Sequence, residues 1–163
     1  MAVFVHFAIM THDNKIVNGL WIGGELSPLE ELTLRSFLFH GHEFHLWVYF
    51  QIKTPLPDGV VVEDANRIIP FSEVFSRKTA DPECGGIGRG SYGSPFSDLF
   101  RYKLLHERGG WWTDMDVTCL KPLAGSAPWF FRVHPILHLV GTVMKCPPGS
   151  SLMQKAYRET QLT

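Results

Sequence analysis

Hydrophobic residues along this chain of 163 residues alternate between strand-like runs and helix-like periods. Residues 16–22 read as a first strand. The run Ser27-Pro28-Leu29-Glu30 then predicts a capping box with proline at the first helical position, opening a helix to about Phe39. Residues 44–50, rich in aromatic and β-branched side chains, predict a second strand. Pro55, Pro57, Asp58 and Gly59 form a turn-rich connection to a short strand at 60–62. Residues 64–69 read as a helical turn stopped by Pro70. A Gly-rich polar loop at 79–93 precedes a helix announced by Ser94-Pro95, an N-cap with proline behind it. Phe96, Leu99, Phe100 and Leu104 give that helix one apolar face, and Gly109-Gly110 mark its end. Strands are expected at 129–133 and 137–145, and a capped helix at 151–160. Such alternation predicts an α/β fold with a mostly parallel sheet flanked by helices. Ligands of such sheets bind at the carboxyl ends of the strands.

Directly after the glycine pair and two tryptophans stand Asp114 and Asp116, one residue apart. In an extended strand both carboxylates would point one way and Met115 the other. Two convergent carboxylates without His or Cys beside them suit a hard cation, Mn²⁺ or Mg²⁺, that leaves positions for water and phosphate oxygens. A phosphorylated ligand is thereby implied. Asp98 and Arg101 lie three apart on the preceding helix. They read either as a local ion pair worth about 0.3–0.5 kcal/mol or as a donor–acceptor fork for a polyhydroxylated ligand.

These residues carry a resemblance. The pattern S-D-x-x-R-Y, a helix, G-G, an aromatic pair, D-x-D and a downstream L-K-P resembles the glycosyltransferases with a DXD-containing sugar-binding region. That group includes the yeast Golgi α-mannosyltransferases, bacterial capsular polysaccharide transferases and, distantly, the clostridial glucosylating toxins. Upstream, Leu20-Trp21-Ile22-Gly23-Gly24 followed by Ser27-Pro28 is similar to the family's W-I-G turn. The two motifs span roughly residues 16 to 123. The resemblance implies a GT-A-type fold and metal-dependent transfer of a hexose from a UDP- or GDP-sugar to an acceptor hydroxyl, with retention. It implies Asp116 as the direct metal ligand, with Asp114 acting partly through water and partly on ribose or sugar hydroxyls. Trp21 would stack on the base while the backbone from Leu20 through Ile22 to Gly23 reads its edge. Asp98 and Arg101 would meet the donor sugar and phosphate, and Trp112 would lie near the ribose and sugar. In that family the acceptor-binding elements, and often the last metal ligand, lie in the C-terminal third. A domain over 14–163, incomplete at its C-terminus and preceded by an extension over 1–13, is therefore expected. The acceptor, whether saccharide, lipid-linked or protein, stays open.

Composition fits one soluble globular domain, with 45% hydrophobic and 19% charged residues. A formal net charge of −1 with no basic run argues against nucleic acid or an anionic membrane as the main partner. Cys84, Cys119 and Cys146 show no metal spacing and fit buried thiols in a reducing compartment, hence a cytoplasmic expectation. No apolar stretch is long enough for a transmembrane helix, and Ala2 to Met10 make a poor signal peptide.

Other motifs compete. Gly88 to Gly93 match G-x-G-x-x-G, but the preceding T-A-D-P-E-C-G-G is not a strand, which favours a loop beside the site. His40, His42 and His45, H-x-H-x-x-H, could invite a zinc assignment, but they fall at a helix-to-strand turn with a spacing that puts no two on one regular face, which favours a solvated turn. His134 and His138 are read as structural, with a late metal ligand as the alternative. Asp114 to Thr118 also fit the D-x-D-x-[TV] nucleophile motif of haloacid-dehalogenase-like phosphatases, although too little chain follows for the rest of that site. A truncated or inactive nucleotide-sugar-binding module is the non-enzymatic alternative.

Overall fold

A computed structural model describes residues 15–75, 94–136 and 138–161. The expected extension over 1–13, the G-x-G-x-x-G segment and Cys84 lie outside the described residues. Among the described residues six strands and three α-helices follow in the order β1 (Ile16–Trp21), α1 (Pro28–Phe39), β2 (Glu43–Val48), β3 (Val60–Asp64), α2 (Ser94–Arg108), β4 (Gly110–Thr113), β5 (Phe130–His134), β6 (His138–Cys146) and α3 (Ser151–Thr160). Between β3 and α2 the helical turn expected at 64–69 is a 3₁₀ turn, Ala65–Arg67, with a second at Phe71–Glu73. The strands form one sheet in the order β3-β2-β1-β4-β6-β5. The first four run parallel, while β6 is antiparallel to both β4 and β5. This is the mostly parallel, helix-flanked sheet that the sequence predicts.

Side-chain alternation sends each central strand's residues into two separate cores. On one face Leu20, Trp47 and Trp112 meet Phe96, Leu99, Phe100, Leu104 and Leu105 of α2, and Met153 of α3. On the other, Val17, Phe44, Leu46 and Trp111 meet Leu34 and Phe37 of α1. Both tryptophans of the pair are thus core residues, one on each side of the sheet. Asn18 ties three strands together from within: its amide donates to the Trp111 carbonyl at 2.9 Å, and its oxygen accepts from the Trp47 indole at 2.9 Å. A buried amide satisfied in this way fixes the register of β1 between its neighbours.

Local signals set the element ends. Ser27 caps α1 as a full capping box, with the Ser27 amide donating to Glu30 at 2.7 Å and the Leu29 amide to the Ser27 hydroxyl at 3.2 Å. At the end of α2, Gly109 adopts a positive φ of 65°. A side chain there would also press to 2.5 Å from the Pro148 nitrogen, so glycine is needed both for the turn and for the close approach. The reversal launches β4 straight off the helix.

Candidate functional site

β4 is four residues long, and this changes how the acidic pair is presented. Asp114 follows the strand, and Met115 and Asp116 form a turn. The expectation that strand alternation aims the two carboxylates is therefore corrected: a folded turn does it, anchored on three sides. The Asp114 amide donates to the Thr142 carbonyl of β6 at 2.9 Å. The Met115 side chain is buried in the α1-side core. The Met115 carbonyl accepts from the fully buried Thr33 hydroxyl of α1 at 2.8 Å. Farther on, the Cys119 amide donates to the Ser36 hydroxyl at 2.9 Å. With Met115 held inward, Asp114 and Asp116 are left at the rim.

The two carboxylates differ in surroundings. Oδ1 of Asp114 lies 3.2 Å from Nη2 of Arg101 and accepts from the Trp112 indole at 2.9 Å. The same Nη2 reaches Oδ1 of Asp98 at 2.6 Å. Arg101 is only 4% exposed, and its guanidinium lies over the Trp112 ring, 5.4 Å from the centroid. The Asp98–Arg101 pair is thus more than a local surface contact: Arg101 is buried, while Asp98 stays partly exposed. It belongs to a chain, Asp98–Arg101–Asp114–Trp112, that joins α2 to the end of β4. Burial pushes the Asp114 carboxyl above its usual range; Arg101 and the Trp112 N–H pull it down, while Asp116 and Asp98 push it up again. Burial also raises the Tyr102 phenol, reinforced by Asp98 and Asp114 and opposed by Arg101. Asp116 is exposed, and among the described residues its carboxylate makes no hydrogen bond or ion pair.

This donor set can be matched to a metal. Among the described residues no group of three His, Cys, Asp or Glu side chains converges. One free carboxylate beside a half-engaged second one suits a hard cation that takes most of its ligands from water and phosphate oxygens. It does not suit zinc. The histidines stay apart from it. The solvated turn expected for His42 is corrected: the ring is buried, its Nε2 accepting from the Leu123 amide at 2.9 Å. His45 lies between Glu43 and Glu63 at 2.8 and 3.3 Å. His134 and His138 face one another across the β5–β6 hairpin.

Trp21 closes β1, the parallel neighbour of β4, so the W-I-G turn and the acidic turn share one sheet edge. Trp21 is half-buried against the α1-side core, and its indole donates to the Glu25 carbonyl at 2.9 Å. Leu20 and Ile22 pack on the α2 side, and the Gly23 Cα lies close under the Trp21 indole. Trp21 and Arg101 therefore stand on opposite faces of the sheet, and a ligand touching both must lie across its end. Trp112, by contrast, is buried at 1% exposure, so its ring faces Phe100 and Arg101 and only its N–H serves Asp114.

A cavity of about 480 Å³ lies elsewhere, lined by Ile16, His45, Arg108, Gly109, Gly110 and Pro148 among others. These residues sit at the amino-terminal ends of β1, β2 and β4, the edge away from Asp114. The carboxyl edge, where the charged chain is assembled, is the one on which sheets of this type bind ligands.

Sequence reasoning missed Thr33, Gly141 and Thr142. A glycine inside the β6 strand pattern was the available signal for Gly141; nothing local marks a threonine hydroxyl or a strand carbonyl as the anchor of a distant turn. Among the described residues no helix is long and apolar enough to cross a membrane. Cys119 and Cys146 are free and buried, with burial raising the Cys146 thiol to about 11.

No curated protein matches the chain significantly. The model of the glycosyltransferase sugar-binding region containing a DXD motif matches residues 51–135, just over half of the chain. That span holds Asp98, Arg101, Trp112, Asp114 and Asp116, and the six-stranded α/β sheet is consistent with a GT-A-like fold. The dehalogenase-like alternative loses its basis, because the same D-x-D falls within a glycosyl-transfer motif in its own sequence context. The chain belongs to the family of glycosyltransferases whose sugar-binding region contains a DXD motif.

Proposed function

We propose that this domain binds a UDP- or GDP-hexose across the carboxyl ends of β1 and β4 and transfers the hexose to an acceptor hydroxyl with retention. The observation that carries this reading is the pairing of a clamped Asp114 with a free, exposed Asp116 on an anchored turn. Asp116 would hold a Mn²⁺ or Mg²⁺ ion directly, and Asp114 partly through water. Such an ion, when bound, supplies positive charge against the charge that builds on the departing diphosphate.

The chain's own residues do the rest. Arg101 and Trp112 hold Oδ1 of Asp114, which leaves Oδ2 to accept from ribose or sugar hydroxyls. Asp98, partly exposed beside Arg101, accepts from hydroxyls of the donor sugar. Trp21 stacks on the base, and the backbone from Leu20 to Gly23 reads its edge. In the transfer the anomeric C–O bond to phosphate breaks and a bond from the acceptor oxygen forms on the same face. The acceptor proton passes to the leaving diphosphate. Retention by this front-face course is what the resemblance of the S-D-x-x-R-Y and D-x-D motifs implies.

Thermal melting tests the reading. Mn²⁺ together with UDP or GDP is expected to raise the melting temperature far more than either component alone, since phosphate oxygens complete a site that two carboxylates leave open. At about 100-fold excess over Kd the stabilisation is about 2.7 kcal/mol, or roughly 5–11 °C for a domain of this size. An equal shift with NAD, or none with any nucleotide, refutes the proposal. Release of nucleotide from UDP- and GDP-sugars separates transfer or hydrolysis from binding without turnover.

A further inference from the structure

Gly141 stands in the interior of β6, where glycine weakens a strand and commonly marks a close approach by another group. Its backbone is not in the positive-φ region, so any residue could adopt it. What glycine provides is space. A Cβ at this position would collide with Nη1 of Arg101 and lie 3.3 Å from its Cζ and 3.5 Å from its Cδ. The Arg101 head is thus enclosed by three elements. Ser97 and Asp98 of α2 take Nε and Nη2, at 3.5 and 2.6 Å. From the β4 side Trp112 supplies the ring beneath it, and Asp114 takes Nη2 as well. Gly141 of β6 forms the wall against Nη1. The next residue, Thr142, accepts the Asp114 amide through its carbonyl at 2.9 Å. One strand, antiparallel and outside the acidic motif, therefore fixes Asp114 twice: by its backbone, and through Arg101 by its carboxylate.

We propose that Gly141 is a positioning residue of the donor site, acting by leaving the space in which Arg101 clamps Asp114. This role rests on the donor-site reading above. Gly141→Ala would force the guanidinium to retreat by roughly an ångström before normal contact is restored, drawing Nη2 away from Asp98 and Asp114. The other route from β6 to Asp114, the Thr142 carbonyl, does not depend on which residue stands at position 101.

The test is a double-mutant cycle on the whole chain with Gly141→Ala, Arg101→Lys and the two combined. Affinity for Mn²⁺–UDP and Mn²⁺–GDP is measured by calorimetry, and melting temperature without ligand. Lysine has no branched head to meet the new Cβ, so the two changes should couple. Gly141→Ala alone is expected to weaken binding about tenfold or more, and less than about twofold when added to Arg101→Lys. Its melting deficit should shrink in the same way. Equal losses in both backgrounds would mark an ordinary strand defect and overturn the role of Gly141 while leaving the donor reading intact. If Gly141→Ala fails to fold alone, folding of the combined variant supports the proposal, and its failure overturns it. Absence of nucleotide binding by the wild type refutes the donor reading and the positioning role with it, whereas the ligand-free melts then report separately on the contact.

Discussion

Removal of the Arg101 guanidinium is the sharpest single perturbation of the charged chain. Arg101→Met keeps an unbranched stem to pack on Trp112 and deletes the positive charge. The Arg101 side chain is 5% exposed and that of Asp114 25%, so their pairing is close to a buried ion pair. Breaking such a pair from one side costs about 3–5 kcal/mol, because the partner charge stays buried and uncompensated. Asp98, at 39% side-chain exposure, is screened by water, and its share is below about 1 kcal/mol. A total of about 3–5 kcal/mol corresponds to a fall in melting temperature of roughly 6–20 °C. The pH dependence has a definite sign. The Asp114 carboxyl is already raised by burial in the folded state, with Arg101 holding it down. Its ionisation therefore costs stability at neutral pH, and that cost is relieved as pH falls through the raised value. Without Arg101 the folded-state value rises further, so the penalty at neutral pH grows and relief begins at higher pH. Differential scanning calorimetry of both proteins at neutral pH and at about pH 5 should show the deficit shrinking on acidification. A deficit of the same size at both pH values, or one below about 1 kcal/mol, would refute the claim that Arg101 acts by compensating Asp114.

Other outcomes follow from the same geometry. Asp116→Asn is expected to abolish the synergy of Mn²⁺ with nucleotide in calorimetry while leaving the ligand-free protein equally or slightly more stable, since Asp116 repels Asp114; unchanged Mn²⁺–nucleotide affinity would make the pair structural. Trp21→Ala separates stacking from packing: loss of a base stack weakens nucleotide binding by about 1–3 kcal/mol, roughly 5- to 150-fold, whereas a lost core contact appears as a drop in melting temperature with affinity intact. Cys146, with its thiol raised to about 11 by burial, should resist alkylation by iodoacetamide at neutral pH until the protein unfolds; rapid labelling in the native state, read by mass spectrometry, would contradict its burial.

Much of this protein is written locally. The Ser27 capping box, the Gly109 reversal and the apolar face of α2 rest on interactions within a few residues, so sequence spacing alone places them. Ser150 caps α3 in the same way, with its hydroxyl accepting from the Met153 amide. The acidic pair and the Asp98–Arg101 pair were equally legible as residue types suited to a cation and a hydroxylated ligand. Their working environment was not. Whether Arg101 forms a solvated surface pair or a buried clamp depends on Trp112 beneath it and Gly141 beside it, one on β4 and one on β6. That Asp114 and Asp116 are aimed by a turn and not by a strand depends on Thr33 and Thr142, which reach the motif from α1 and β6. The family resemblance put Trp112 near the ribose and sugar; the sheet has a core on each face, and Trp111 and Trp112 are both buried in them. Short-range hydrogen bonding and hydrophobic period are properties of the sequence. Desolvation, and with it the strength and direction of every charge at this site, exists only once distant segments have closed around it.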